Sequence, residues 1–319
     1  MQALTADVIS RTAFGSNFEE GRQIFELIRK QAQLLNQVVQ YVYIPGWRFL
    51  PTAMNKELQH NYNQMQELIK GIISKREEAL RVGKARNDDL LSLLIESNYK
   101  TIKEKEIGMS IQEVIEECKL FYIAGQDTTS VLLLWTMVLL STHPNWQERA
   151  REEVIQVFGK RKPTFDDLHQ LKIVTQILNE VLRLYPPAAV LIRSNKKETK
   201  IGDIFLPPGT TISMPIILLH RDPTYWGDDA LEFKPDRFAQ GISKASKNND
   251  KVVAFFPFSW GPRICIGQNF ALMEAKLALA MILQNFSFQL SPSYIHAPAE
   301  RFLLYPQHGA HLILNKIII

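Results

Sequence analysis

Apolar residues recur every three to four positions through the first half of the chain, which predicts one helix after another. Ile24, Leu27, Ile28, Leu34 and Leu35 keep to one face, so residues 20–41 predict an amphipathic helix, which Tyr43-Ile-Pro-Gly-Trp47 breaks. A second helix is expected from near Thr52 to about Leu80, before the solvated stretch Val82-Gly-Lys-Ala-Arg-Asn87. Residues 88–97 predict a further short helix, and the charged run 100–106 a solvated loop. Ser110-Ile-Gln-Glu113 has the pattern of a capping box, in which Ser110 and Glu113 satisfy each other's free amides, and it opens the longest helix, to about Thr142. Pro144 suits the first turn of a helix over 145–158. Residues 163–171 read as a connector and 174–184 as a helix, ended by Tyr185-Pro-Pro187.

The pattern then changes. Residues 200–206 and 210–218 predict short strands, joined by Pro207-Pro-Gly209 in a type II turn. A long irregular region, 220–260, precedes a strong helix over about 267–284, and residues 286–314 read as strands and turns. The fold class expected is mostly α with small β-sheets. The absence of βαβ alternation argues against a doubly wound α/β fold.

Composition narrows the function. The 319 residues are 46% hydrophobic and 22% charged, proportions of an ordinary globular protein. A net charge of +4 over the whole chain is too weak a bias to point to nucleic acid as partner. Two Cys exclude a disulfide framework and a four-Cys zinc site, and they favour a reducing compartment. The start of the chain has neither the basic nor the apolar region of a signal peptide. The apolar stretch 120–140 is interrupted by Gly125-Gln-Asp-Thr-Thr129, and its near-continuous part, 131–140, is too short to cross a bilayer. The expectation is a chain without a membrane anchor.

Three groups of residues carry candidate chemistry. Cys265 lies just before a predicted helix, whose positive end favours thiolate. Gly261 and Gly267 would let backbone approach a flat, bulky group, and Arg263 could pair with a carboxylate on it. A lone Cys is more often a small core residue, the role expected of Cys118. The Gly, Arg and helix-start spacing favours the chemical reading for Cys265. Asp127 and Thr128 are polar residues amid the most apolar helix, with Gly125 leaving space beside the backbone. They form either a proton-delivery pair or a back-bonded Thr beside a solvent-facing Asp, and residue types alone leave both open. Glu180 and Arg183, three apart, share one helix face and can pair; such a pair reads as a surface salt bridge unless a third partner buries it, and Arg237 is available for that. His308 and His311 read as structural.

These pieces, in this order, resemble the cytochrome P450 superfamily of haem-thiolate monooxygenases over nearly the whole chain. The resemblance rests on Ala124-Gly-Gln-Asp-Thr-Thr129, Glu180-Val-Leu-Arg183, Pro235-Asp-Arg-Phe238 and Phe258-Ser-Trp-Gly-Pro-Arg-Ile-Cys-Ile-Gly267. Leu4-Thr-Ala-Asp-Val-Ile-Ser-Arg-Thr-Ala-Phe-Gly15 and His143-Pro-Asn-Trp-Gln-Glu-Arg-Ala-Arg-Glu-Glu153 are similar to plant members of the secologanin-synthase type. The resemblance implies haem b as cofactor, with Cys265 as its axial iron ligand. It places Phe258, Gly267 and Ala124 against the haem, and Arg263 and Arg193 on its propionates. Asp127 and Thr128 would relay protons on the opposite face, and Glu180, Arg183 and Arg237 would form a buried charge network. The implied reaction inserts one oxygen atom from O2 into a C–H bond of an apolar molecule, a terpenoid in this plant group. NADPH–cytochrome reductase, a flavoprotein, would supply the electrons, docking near Lys251, Arg263 and Lys276. Residues 120–126, 188–191 and 215–217 would line the pocket. The full-length parent would sit on the cytosolic face of the endoplasmic reticulum membrane. The anchor, hinge and first helices of such proteins have no counterpart here, so residues 1–319 are expected to be one catalytic-domain fragment whose fold is incomplete at the N-terminus. A haem-thiolate enzyme that rearranges peroxides, and a non-functional truncated remnant, are the alternatives.

Overall fold

Local chemistry sets most helix boundaries in the computed structural model, which describes residues 1–16, 18–39, 45–83, 89–103, 108–247 and 253–317. Helix α1 (Gln2–Phe14) ends on Gly15 at φ +56°, where a left-handed residue closes the last turn. Helix α2 (Phe18–Val39) buries Ile24, Leu27 and Ile28, while Leu35 emerges into solvent. Thr52 caps α3 (Ala53–Arg81) by accepting the Asn55 N–H at 3.1 Å. Helix α4 (Leu90–Lys103) runs further than the short helix expected; of the charged run 100–106, residues 100–103 are helical and the rest lie outside the described residues. In α5 (Ile111–Thr142) the capping box forms: Glu113 Oε2 accepts the Ser110 N–H at 2.7 Å, and Ser110 Oγ accepts the Glu113 N–H at 3.3 Å.

The chain divides into two compact units, Met1–Ser130 and Val131–Ile319. The first is all helical. Tyr122 is fully buried there, stacked on Phe14 at 3.9 Å, with the Phe25 edge 5.3 Å away. Arg76 of α3 reaches the Phe14 carbonyl at 2.9 Å and Asp89 at 2.8 Å, and Asp89 in turn accepts the Ser92 N–H, so one ion pair joins α1, α3 and α4.

The second unit packs α6 (Pro144–Phe158), α7 (Lys172–Leu184) and α10 (Gln268–Asn285) around the apolar half of α5. Pro144 occupies the first turn of α6, as expected. The first amides of α7 have no cap of their own; Glu153 of α6 accepts the N–H groups of Ile173 and Val174 at 2.7 and 3.0 Å. Four two-stranded antiparallel sheets surround this body. Strand β1 (Leu191–Ser194) pairs with β4 (Thr211–Met214), and β2 (Thr199–Ile201) with β3 (Ile204–Leu206). Strand β5 (Phe286–Leu290) pairs with β8 (Leu312–Lys316), and β6 (Pro298–Arg301) with β7 (Leu303–Pro306).

Two strand expectations are corrected. Residues 200–206 are a hairpin rather than one strand, because Gly202 at φ +59° turns the chain back on itself. Residues 210–218 end as a strand at Met214: Pro215 offers no N–H to a ladder, and α8 (Ile216–His220) follows, burying Ile216 and His220 one turn apart. The turn at Pro207 forms as expected, with Gly209 at φ +80° and the Thr210 N–H on the Pro207 carbonyl. Helix α5 is long and apolar enough to cross a membrane, and 67% of its most apolar window is buried within the protein.

Candidate functional site

The loop before α10 bends twice through positive φ, at Ser259 (+66°) and Gly261 (+71°). Glycine accepts that conformation without cost, whereas Ser259 needs its surroundings to hold it. They do so from both sides. The Ser259 N–H donates to the Phe256 carbonyl at 3.0 Å, and the Ser259 hydroxyl accepts from Arg193 Nη2 at 2.7 Å. The Cys265 N–H then returns to the Phe258 carbonyl at 2.9 Å, which closes the loop. Cys265 is exposed, two residues ahead of Gly267, the residue that precedes the first turn of α10. Phe258 packs half-buried against the core, whereas Trp260, Ile264 and Ile266 are uncovered, Ile266 to 89%.

The residues present fit a haem. A soft sulfur donor, flanking apolar side chains left in water, and nearby guanidinium groups are the donor set that a flat apolar macrocycle with an iron and two carboxylates requires. A Cβ built on Gly261 would meet nothing, so the backbone there is open to a close neighbour. Arg193 lies on β1 and is tied to the loop through Ser259; Arg263 is exposed and has no ion pair among the described residues. Lys251 lies outside the described residues. Lys276 does not join a surface patch: it is half-buried near Glu153, and desolvation pulls its ammonium below the usual lysine range. Of the expected pocket residues, Ile216 and Ala189 are buried in the core, and the Ile217 N–H donates to the Ala189 carbonyl.

On α5, Ala124, Asp127 and Thr128 share one accessible side, while Gln126, Thr129 and Ser130 are buried. The Thr128 hydroxyl donates to the Ala124 carbonyl at 2.7 Å, the back-bonded state that was one of the two possibilities. Its proton is committed there, and its lone pairs remain open as acceptors. The space expected beside Gly125 is not vacant. A Cβ at that position would lie 2.5 and 2.6 Å from the Cδ1 and Cγ1 atoms of Ile9, so this glycine admits α1 against α5. Gly125→Ala is expected to destabilise the chain by about 1–3 kcal/mol through overpacking. Adding Ile9→Val should recover part of the loss. Urea-unfolding midpoints of both single variants and the double variant check this; full additivity would show that Ile9 does not fill the space.

Three charges meet in the second unit, buried as the resemblance implied and not as the surface pair that the spacing alone favours. Glu180 and Arg183 are both 0% exposed, and Arg183 forks onto both carboxylate oxygens, with two bonds of 2.8 Å. Its other donors reach the carbonyls of His220 (2.8 Å), Ala230 (2.5 Å) and Glu232 (3.1 Å). Arg237 stands 3.5 Å from Glu180 and donates to the carbonyls of Trp226 and Asp229 at 3.0 and 2.5 Å. Glu180 also accepts the Lys234 N–H at 2.8 Å.

Two members of this region were missed by sequence reasoning. Asp229 pairs with Lys234 and Arg237, which hold its carboxyl down at about 2. His220, fully buried, accepts the Phe256 N–H on Nε2 at 3.2 Å. Burial, then the nearby Arg183, push the imidazole down to about 3, so it is neutral. Neither residue stands at a helical or strand spacing from its partners, so periodicity carries no signal for them.

Comparisons with known proteins show the family. A family profile described as Cytochrome P450 matches residues 1–313. Cytochrome P450 72A397 of Kalopanax septemlobus is 59% identical over 320 residues, 99% of this chain and 61% of that protein. CYP72A219 of Panax ginseng is 56% identical over 322 residues, 100% of this chain and 62% of that protein. The 11-oxo-beta-amyrin 30-oxidase of Glycyrrhiza uralensis is 53% identical over 321 residues, 99% of this chain and 61% of that protein. The chain therefore spans about three fifths of the length of these curated relatives. Its similarity is to plant proteins of the 72A group, a neighbouring assignment to the secologanin-synthase type that the motifs suggested. With residues 1–313 matched by the family profile and relatives 53–59% identical over nearly the whole chain, the chain belongs to the cytochrome P450 family.

Proposed function

We propose that the chain is the larger part of a haem-dependent monooxygenase acting on an apolar small molecule, with a terpenoid as the substrate class. The observation that carries this reading is the closed, exposed Cys265 loop with uncovered apolar neighbours, held in shape by Arg193 on Ser259. Haem b would be held through the sulfur of Cys265, with Phe258, Gly267 and Ala124 as its apolar neighbours and Arg193 and Arg263 pairing with its propionates. When bound, it supplies activation of O2 for insertion of one oxygen atom into an unactivated C–H bond.

The chain's own residues then have defined tasks. Amides beyond Cys265 temper the electron donation of its sulfur. Thr128 would turn its O–H away from the Ala124 carbonyl and donate that proton to the oxygen being reduced, while a lone pair of the same hydroxyl accepts a replacement. Asp127, one residue away and half-buried, would deliver that replacement from solvent. Help of this kind is worth about 10²–10⁴-fold. It also favours an O2-using reaction over peroxide rearrangement, which needs no proton relay. Electrons would come from NADPH through a flavoprotein reductase. The name of the 11-oxo-beta-amyrin 30-oxidase supports a polycyclic apolar substrate. The whole protein would lie at the cytosolic face of the endoplasmic reticulum membrane.

The test is the carbon monoxide difference spectrum of the reduced chain, expressed with a haem precursor beside a Cys265→Ala variant. A strongly red-shifted Soret band in the parent, absent from the variant, is the expected result. A parent with no haem band, or with the same band as Cys265→Ala, would overturn the reading for this chain.

A further inference from the structure

His220 connects two parts of the second unit that the sequence does not link. Its own carbonyl accepts from Arg183 Nη1 at 2.8 Å, which fixes the end of α8 on the Glu180–Arg183 pair. Its ring reaches the other way. Nε2 accepts the Phe256 N–H at 3.2 Å, and the ring lies against Phe255 (5.4 Å between centroids) and Phe256 (5.8 Å). Phe256 begins the Cys265 loop: its carbonyl takes the Ser259 N–H, and the Phe258 carbonyl takes the Cys265 N–H. An unbroken path of short contacts thus runs from a fully buried ion pair, through one imidazole, to the backbone that carries the thiol.

An imidazole whose Nε2 accepts must be neutral, with its proton on Nδ1. Burial, then the neighbouring Arg183, hold the group far below the usual histidine range, so the ring is neutral. Among the described residues Nδ1 has no hydrogen-bond partner, and Nε2 is the ring atom that is engaged. Among the bonds of the described residues, the Phe256 N–H has His220 Nε2 as its one acceptor, and an amide left unpaired in that part-buried place would carry a desolvation cost.

We propose that His220 is a positioning residue for Cys265: as a fixed acceptor it anchors the backbone of Phe256 to the Glu180–Arg183 pair and so sets where Phe258 and the thiol stand. This rests on the reading of Cys265 as a haem ligand. His220→Gln keeps an acceptor oxygen near the place of Nε2. His220→Phe keeps ring volume and stacking but removes the acceptor.

Two readouts separate positioning from bulk packing: amide hydrogen exchange across residues 253–267, read against α6 and α10, and the fraction of haem showing the thiolate-type carbon monoxide band. Parent and His220→Gln are expected to agree within about twofold in both. His220→Phe is expected to exchange at least tenfold faster across 253–267, with α6 unchanged, and to lose most of its thiolate band to the neutral-thiol form. Equal behaviour of His220→Phe and the parent overturns the proposal. So does equal damage in the two variants, because ring packing would then be the only role. If His220→Phe does not fold, the Phe256 amide decides: protection in both the parent and His220→Gln supports the anchor, and exchange as fast as that of the exposed Ile266 in the parent overturns it. A parent without any thiolate band defeats the proposed function, while the exchange contrast still decides whether His220 holds the loop.

Discussion

Arg183→Ala is expected to destabilise the folded chain by about 3–5 kcal/mol, because it leaves the Glu180 carboxylate buried without its bidentate partner. That is a large part of the roughly 5–15 kcal/mol that holds a typical domain together. Glu180 keeps only the Lys234 N–H and the more distant Arg237, while the carbonyls of His220, Ala230 and Glu232 all lose their donor. Those carbonyls make this pair unlike a simple buried salt bridge. Exchanging both charges for apolar residues often restores stability where the pair bonds only to itself. Here Glu180→Gln with Arg183→Met should remain unstable, since no donor returns to the three carbonyls. Arg183→Lys should fall between, as one ammonium cannot reproduce a planar fork or its position 4.9 Å over the Trp226 ring. Urea-unfolding midpoints of the three variants, beside the parent, give the comparison. A double variant as stable as the parent would show that the carbonyl contacts contribute nothing.

The second large effect is expected at Trp135, which is fully buried in α5 and whose Nε1–H donates to the Leu304 carbonyl at 2.7 Å. Trp135→Ala removes a ring stacked on Tyr185 at 4.2 Å and is expected to cost about 3–5 kcal/mol through the cavity it leaves. Trp135→Phe separates packing from hydrogen bonding. It retains most of the ring and abandons the Leu304 carbonyl, for which about 1–3 kcal/mol is expected. The bond also has a structural reach: Leu304 donates its own N–H to Pro187, so Trp135 couples α5 to β7 and to the segment after α7. Thermal unfolding of parent, Phe and Ala variants should give a graded series. If the Phe variant matches the parent, the indole N–H has no role in stability.

Helix-scale features were legible because their causes are local. The Ser110–Glu113 box, the Pro144 start and the apolar face of α2 each involve residues within a few positions of one another; the first two stand where the spacing placed them, and so does the face of α2 up to Ile28, while Leu35 leaves it. The pairing of Glu180 with Arg183 is local in the same sense. Its burial is not, because the groups that cover it come from residues 220–237. Gly125 shows the same limit from the other side. A glycine in an apolar helix announces a close approach, but nothing near it in the chain says that the visitor is Ile9. Strands fared worst. Gly202 inside a short apolar run and Pro215 before another decide where the ladders stop, and each is a single-residue signal against a seven- to nine-residue pattern. His220 and Ser259 were invisible for a related reason: their partners, Phe256 and Arg193, lie across the fold and share no period with them.

The guanidinium groups of Arg183 and Arg237 gather the carbonyls of His220, Trp226, Asp229, Ala230 and Glu232, while Glu180 takes the amide of Lys234. A stretch of chain with little regular ladder of its own is thereby shaped from outside, by two side chains and one carboxylate. Residues between the gathered points carry little of that burden, as the 72% exposure of Leu231 illustrates. Such a stretch can drift widely in sequence while keeping its path, because its instructions are stored at positions 180, 183 and 237 and not along its own length.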